Sequence, residues 1–355
     1  MTTLFLAMPT TNGIYKLIVQ HLEAHGFTVC DLSFADNNDI FRRPTLAEKI
    51  RIKYRKKILG DKEAKLHVIS ANNLKQIEHD KQAIIQIIQQ NHAEHALFIR
   101  GDIYDEAMLQ LIRSKTRGKM INYQWDGLER FGEILNKLHH FDTNYVFDPA
   151  DVGEHNGLTT LPATNFWFDR MPEAGEIQSD VYFTGMHWPG LNRNAPLARF
   201  AQYAEAKGLK TDFAIYHIHD GGIANHSTLY PHPFIRPMRQ SKNFRENLFG
   251  AMHSRILLDF KNPDHKGMSF RPFEALGYRK KLITTNPETA KYDFYHPNNI
   301  FIWDGETFDG LDEFIAAPYQ EINPAIREKY SFGNWIRYML DIEPHQKITL
   351  PNSKP

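Results

Sequence analysis

Apolar positions along the chain follow two alternating rhythms. Compact runs such as Leu4–Ala7 and Phe27–Leu32 read as buried strands. Between them, residues 13–25 place apolar side chains every three or four positions, as a helix does, and Gly26 stops that helix. The same reading predicts a basic helix over 42–57, a polar helix over 74–90, a strand over 96–100, a helix over 106–114 and a strand over 119–123. A helix over 127–138 and a strand over 143–147 follow. After an irregular stretch, 149–178, come a strand over 180–185, a helix over 195–207 and a strand over 211–217. Residues 219–236, rich in Gly, His and Pro, read as a loop. The remainder reads as a helix over 241–252, a strand over 255–260, a helix ending at Gly277, strands over 281–285 and 299–303, and a helical end over 323–340. Such alternation predicts mostly parallel sheets covered on both faces.

A chain of 355 residues exceeds one ordinary core, so two doubly wound α/β domains in tandem are expected. The expected division is 1–165, 166–325, and a final segment 326–355 whose helix crosses back to the first domain. Ligands of such sheets bind beyond the carboxyl ends of the strands. Forty-two basic residues balance forty-two acidic ones, and nothing in this balance predicts nucleic-acid binding. The single Cys30 excludes an intrachain disulfide, fits a reducing compartment, and reads as a small buried residue at a strand end. No run approaches the roughly 20 apolar residues of a membrane span. Residues 1–9 read as a first strand rather than a signal peptide, so a cytoplasmic protein is expected. Peripheral contact with the inner membrane stays open: residues 42–57 are strongly basic, with Ile50, Ile52, Tyr54 and, just beyond, Ile58 interleaved. A solvated helix face is the plainer reading of that segment.

Four groups of residues carry candidate chemistry. In Ser269–Thr285 a helix starts in a polar turn, with Arg271 and Glu274 three residues apart on one face. That pair suits an anionic, hydroxyl-rich ligand, or is only a surface ion pair. In Thr184–Asn194, Gly185 and Gly190 lie between a strand and a helix start, where backbone N–H groups and Arg193 favour phosphate. The spacing matches neither G-x-G-x-x-G nor a P-loop. Asp102 and Asp126 each follow a strand; each reads as a base facing a cleft or as a helix N-cap. Tyr123 and Trp125 beside Asp126 suit sugar stacking, and the turn Pro9–Gly13 offers Thr11 and Asn12. The histidines His217, His219, His226 and His232, with Asp220, admit a metallohydrolase reading.

The pattern S-F-R-P-F-E-A-L-G-x-x-K-x-L-I-T from Ser269, followed by Asn286, Tyr292–Tyr295 and Asn298–Trp303, resembles the carboxyl-terminal half of GT-B glycosyltransferases. It is similar to bacterial lipopolysaccharide or capsule transferases of the CgeB-like and group-1-like kind. The resemblance spans about 240–340, extends more thinly over 180–220, and over the first 150 residues is one of topology. It implies the GT-B fold, two Rossmann-like domains facing each other across a cleft. It further implies a nucleotide-sugar donor on Gly185, Gly190, Arg193, His217, Arg271, Glu274 and Asn286, with Glu274 on ribose or sugar hydroxyls. The acceptor, a glycan or glycolipid, falls to the first domain, with Asp126 or Asp102 as base for inversion and Thr11, Asn12, Tyr123 and Trp125 as contacts. Many such transferases carry a second acid seven or eight residues before the helical Glu. Here His265–Ser269 supplies none, which puts the sugar contact and a retaining mechanism in question. No Asp-x-Asp occurs, so no metal or other cofactor is expected. The alternatives are a hydrolase holding metal on His217 and His219, and a noncatalytic sugar-binding protein.

Overall fold

The computed structural model describes residues 2–36, 44–173, 175–218, 220–264 and 266–351. Seven strands form the first sheet: β1 (Thr2–Ala7), β2 (Phe27–Asp31), β3 (His95–Ile99), β4 (Met120–Gln124), β5 (Thr143–Val146), β6 (Gly153–His155) and β7 (Leu158–Pro162). Their order is β2-β1-β3-β4-β5-β7-β6, parallel except for β6 against β7. Helices α1 (Ile14–Ala24), α2 (Leu46–Ile58), α3 (Ala64–Gln90) and α4 (Glu106–Lys115) belong to this half. The second sheet holds β8 (Ser179–Met186), β9 (Thr211–Tyr216), β10 (Ile235–Met238), β11 (Ser254–Asp259), β12 (Lys281–Thr284) and β13 (Ile300–Ile302), in the order β10-β9-β8-β11-β12-β13. All its pairings are parallel. Around it lie α5 (Asn194–Ala206), α6 (Asp220–Ala224), α7 (His226–Leu229), α8 (Phe244–Met252), α9 (Phe270–Gly277), α10 (Leu311–Ala316) and α11 (Pro324–Lys329), and α12 (Phe332–Leu340) ends the helices.

The apolar runs are continuous because both faces of each sheet are covered. Leu4 and Leu6 of β1 enter one core with Leu97 and Ile99 of β3, whereas Phe5, Ala7, Ala96 and Phe98 enter the opposite one. In the second sheet Val181, Phe183, Ile256 and Leu258 face one core while Tyr182 and Leu257 face the other. The period of two sorts the residues of one strand between two apolar layers.

Three expectations are corrected. The helix expected over 127–138 is a turn followed by short 3-10 segments, Gly132–Asn136 and Leu138–His140. Tertiary contacts claim its backbone and rings: Asp151 accepts the Leu128 N–H at 2.8 Å, and the Arg100 guanidinium lies 3.4 Å from the Phe131 ring centre. Within the stretch expected to be irregular, β6 and β7 form a hairpin over Asn156-Gly157, both residues at positive φ. The segment expected as a loop over 219–236 contains α6, α7 and the start of β10, an edge strand that tolerates Pro237.

The two halves share a core. Phe332, Trp335, Ile336 and Met339 of α12 pack with Leu4, Leu97 and Ile121 of the first sheet, and with Leu248 and Met252 of α8. The Trp335 ring stands 5.4 Å from Tyr123 and 4.6 Å from Phe166, centre to centre. At Gly277 even one methyl group would overlap the Trp167 ring, which explains a glycine as the last residue of α9. Gly277→Ala should therefore cost about 1–3 kcal/mol and lower the calorimetric Tm by several degrees. An unchanged Tm would show that this contact is loose.

Candidate functional site

Strand order reverses between β8 and β11 in the second sheet and between β1 and β3 in the first. Each reversal opens a crevice beyond the carboxyl ends of the strands. The β8/β11 crevice has a buried polar floor. Asp259, the last residue of β11, accepts hydrogen bonds from Thr284 Oγ1 at 2.8 Å and from Ser269 Oγ at 3.1 Å. Ser269 also caps α9, accepting from the Arg271 N–H at 3.3 Å. One carboxylate thereby ties the start of α9 to the ends of β11 and β12. Burial pushes the Asp259 carboxyl above its ordinary range, and the two hydroxyl donors oppose that shift. Asp259 carried no role in the sequence reading. Its one signal was an acid closing the apolar run Ile256-Leu257-Leu258.

Arg271 and Glu274 form an ion pair within α9, on the shared face their spacing predicts. Glu274 is only 2 % exposed. In this conformation its carboxylate lies on Arg271. The Arg271 guanidinium is 5.4 Å from the Tyr182 ring centre. On the other side of the crevice, Arg193 precedes α5 and donates to the Met186 carbonyl at the end of β8. A Cβ on Gly185 would sit 2.7 Å from Arg193 Nη2, so the glycine lets the guanidinium lie against the strand. Arg193 Nε has no hydrogen-bond partner, and burial lowers its pKa. Gly190 is exposed in the 3-10 turn Pro189–Leu191. Asn286, expected on the donor, is buried and serves as a cap: its Oδ1 accepts from the Glu288 N–H at 3.2 Å.

Among the described residues, the histidines of this segment form no cluster of three ligand groups that could hold an ion. His217 Nε2 lies 2.8 Å from His226 Nδ1, and His226 Nε2 lies 2.7 Å from the Ile235 carbonyl. A carbonyl only accepts, so His226 donates to it from Nε2. His232 pairs with Glu205 at 3.3 Å instead. His219 lies outside the described residues. Desolvation, followed by the neighbouring His226 and His187, pulls His217 down to about 4. His217 is thus a neutral ring behind β8 and β9.

In the first domain Thr11 and Asn12 are exposed just beyond β1. Asp102, a proposed base, is buried with both oxygens on Arg100, at 3.1 and 2.6 Å, and Gln124 Nε2 adds a bond at 3.2 Å. Arg100 also pairs with Asp36 at 2.9 Å. A carboxylate held in this fork is a structural anion, which removes Asp102 as the base. Asp126 caps no helix. It pairs with Arg130 at 3.3 Å, with partial exposure on both side chains. Trp125 is half-buried beside the first core. Tyr123 is fully buried, its hydroxyl 3.2 Å from Asn165 Oδ1, so its ring offers no face to a sugar.

The carboxyl edges of the two sheets meet. Gly13, beyond β1, abuts Asn243, which caps α8. Asp148, beyond β5, accepts the Lys266 N–H at 2.7 Å, and Asn165 donates to the Met268 carbonyl at 2.8 Å. Beside this seam a cavity of about 280 Å³ is lined by Pro149 and Ala150 from one half and Lys261, Lys266, Glu288 and Lys291 from the other.

Two doubly wound domains with opposed strand ends define the GT-B fold, and this chain has it. No family model matches the chain, and no curated protein matches it in sequence. Among solved structures it is similar to an alpha-glucosyltransferase in complex with UDP-glucose and DNA containing an abasic site, at 9 % identity and TM-score 0.51 over 88 % of this chain and 89 % of that one. It is equally similar to a structure described as a UDP-N-acetylglucosamine 2-epimerase from Listeria monocytogenes, at 10 % identity and TM-score 0.51 over 98 % and 99 %. A lipopolysaccharide outer core galactosyltransferase, WaaB, aligns at 12 % identity and TM-score 0.46 over 94 % and 96 %. At these identities the likeness is one of fold.

Two tests follow. Arg271→Met leaves the Glu274 carboxylate buried and unpaired and should cost about 3–5 kcal/mol in denaturant unfolding. Adding Glu274→Met should restore most of that loss, since the uncompensated charge disappears; equal losses would contradict the pair. His217 bears on pH. Its native pKa lies below the ordinary 6.5, so its contribution is complete above pH 6.5 and is lost as pH falls toward 4. The Tm should decline over that window, and His217→Asn should flatten part of the decline.

Proposed function

We propose that this protein is a glycosyltransferase that takes a sugar from a nucleotide-sugar in the β8/β11 crevice and passes it to an acceptor on the first domain. The observation that carries this reading is the placing of two guanidinium groups about the strand ends of that crevice. Arg193 and Arg271 stand beside the β8 and β11 ends, and the start of α5 adds backbone N–H groups. The two neighbours at TM-score 0.51 support it, since both are named for UDP-sugars. The proposal extends to metal independence: the two guanidinium groups and backbone donors would meet the charge of the departing diphosphate. Glu274 acts through Arg271, holding it in place. Gly185 lets Arg193 lie against β8, Gly190 keeps the turn before α5 open to the phosphates, and His217 packs on His226 just past β9. A growing surface glycan, such as lipopolysaccharide core, O-antigen or capsule, or the glycolipid carrying it, is the acceptor proposed on family resemblance. A cytoplasmic location belongs to the same reading.

For transfer with inversion, Asp126 takes the proton of the acceptor hydroxyl as that oxygen bonds to the anomeric carbon. The bond from that carbon to phosphate breaks, and the nucleoside diphosphate leaves with its electron pair. Trp125, Thr11 and Asn12 line the acceptor side. One neighbour named as an epimerase favours a second reading, isomerisation of a nucleotide-sugar without an acceptor.

A saturating nucleoside diphosphate at about a hundred times its Kd should stabilise the fold by about 2.7 kcal/mol. Thermal-shift screening should reveal one preferred base among uridine, guanosine, adenosine and cytidine diphosphates, with the shift reduced in Arg193→Ala. A flat response to all four contradicts the crevice assignment. Asp126→Asn should keep that shift and lower kcat by about 10²–10⁴. Turnover of the donor with no acceptor present would favour the epimerase.

A further inference from the structure

We propose that α2 is a docking helix for an anionic lipid bilayer. Four of its large apolar residues point the wrong way for a helix of a folded domain. Leu46, Ile50, Tyr54 and Ile58 recur every fourth position and are 77, 66, 56 and 67 % exposed. On a helix they form one stripe about 120° wide. The opposite face meets the protein: Glu48 is buried, accepts from Asn72 Nδ2 at 2.9 Å and closes a capping box with Thr45, while Arg55 pairs with Asp61 at 2.7 Å. The helix contacts α3 on that side, and its apolar stripe stays in water.

Charge identifies the occupant. Lys49, Lys53 and Lys57 form a second fourth-residue row along one border of the stripe, and Arg51 flanks the other. With Arg55 and Lys56, α2 carries six basic residues against one acid, Glu48, in a chain whose formal net charge is zero. An apolar stripe edged by long cationic side chains matches the boundary between acyl chains and anionic headgroups, where lysines reach outward as the stripe sinks in. A protein partner of matching shape would have to present an acidic rim around an apolar trough. A bilayer supplies both everywhere.

The position of α2 gives docking a use, which rests on the transferase reading. Beyond β2 the chain passes Phe34, bridged to Pro9 past β1, and Asp36, paired with Arg100 past β3. The chain thus leaves the first sheet at the carboxyl edge that carries Thr11, Asn12 and Asp126, and α2 begins ten residues after Asp36. Seated on lipid, it would hold the acceptor side of the cleft near the headgroup layer, within reach of a lipid-borne glycan. No helix among the described residues is long and apolar enough to cross a membrane, so contact through α2 would be peripheral.

Cosedimentation with vesicles tests this, using phosphatidylcholine alone and phosphatidylcholine with phosphatidylglycerol as about a third of the lipid. The full chain should bind the anionic vesicles, bind neutral ones far less, and release at high salt. Lys53→Glu with Lys57→Glu should weaken partitioning about thirtyfold or more, and Ile50→Ser with Tyr54→Ser should abolish it. Both variants alter exposed positions and should keep the wild-type Tm and the wild-type nucleoside-diphosphate shift. That control separates failure of the lipid proposal from failure of the donor site. Absence of binding to anionic vesicles at low salt overturns the proposal. So does self-association, seen by sedimentation velocity and removed by the same variants, without lipid binding.

Discussion

The candidate site depends on one buried acid. Asp259 ends β11 inside the protein and is satisfied by hydroxyls from two other elements, Thr284 on β12 and Ser269 at the start of α9. Burying a carboxylate is costly unless donors surround it, and here the donors are the residues whose positions define the crevice. Because Ser269 is also the N-cap of α9, the tie fixes where that helix begins and hence where Arg271 and Glu274 emerge. Arg271 then stands over Tyr182 in the middle of β8, which ties the start of α9 to a third strand. Replacing Asp259 would loosen several elements at once, as expected of a shared buried network.

On the crevice floor the charges are ranked by how much freedom they retain. Arg271 is committed to Glu274, whereas Arg193 holds the Met186 carbonyl but leaves Nε unpartnered. A buried guanidinium nitrogen without a partner is a cost to the protein. The contrast across the cleft is similar. Asp102 is locked by Arg100 and Gln124, while Asp126 keeps access to solvent. Of two acids that look alike in sequence, burial and pairing lock one inside and leave the other partly exposed. The shared core built around Trp335 and Phe332 of α12 holds the two sides at a defined separation.

Much of the fold was legible because the central strands are buried on both faces, so they stood out as unbroken apolar runs between helical periods. The hairpin over Asn156-Gly157 was also written in the chain, in a dipeptide that favours such turns, but its flanking strands are short and largely polar. The false helix over 127–138 had the right apolar spacing in Leu128, Phe131, Leu135 and Leu138, and long-range partners overrode it. In the site, the Arg271–Glu274 pairing followed from helical spacing alone. The fates of Asp102, Tyr123 and Asn286 did not, because each was decided by a partner distant in sequence or by burial. Asp259 escaped notice for the same reason: its two donors lie 10 and 25 residues away.

The most direct test of the account is a crystal structure of the protein with the nucleoside diphosphate selected by its stabilising effect. The diphosphate should lie beyond the carboxyl ends of β8 and β11, within hydrogen-bonding distance of Arg193 and close to Gly185, with Arg271 facing it. A ligand bound elsewhere, with Arg193 still turned onto the Met186 carbonyl and that crevice vacant, would contradict it.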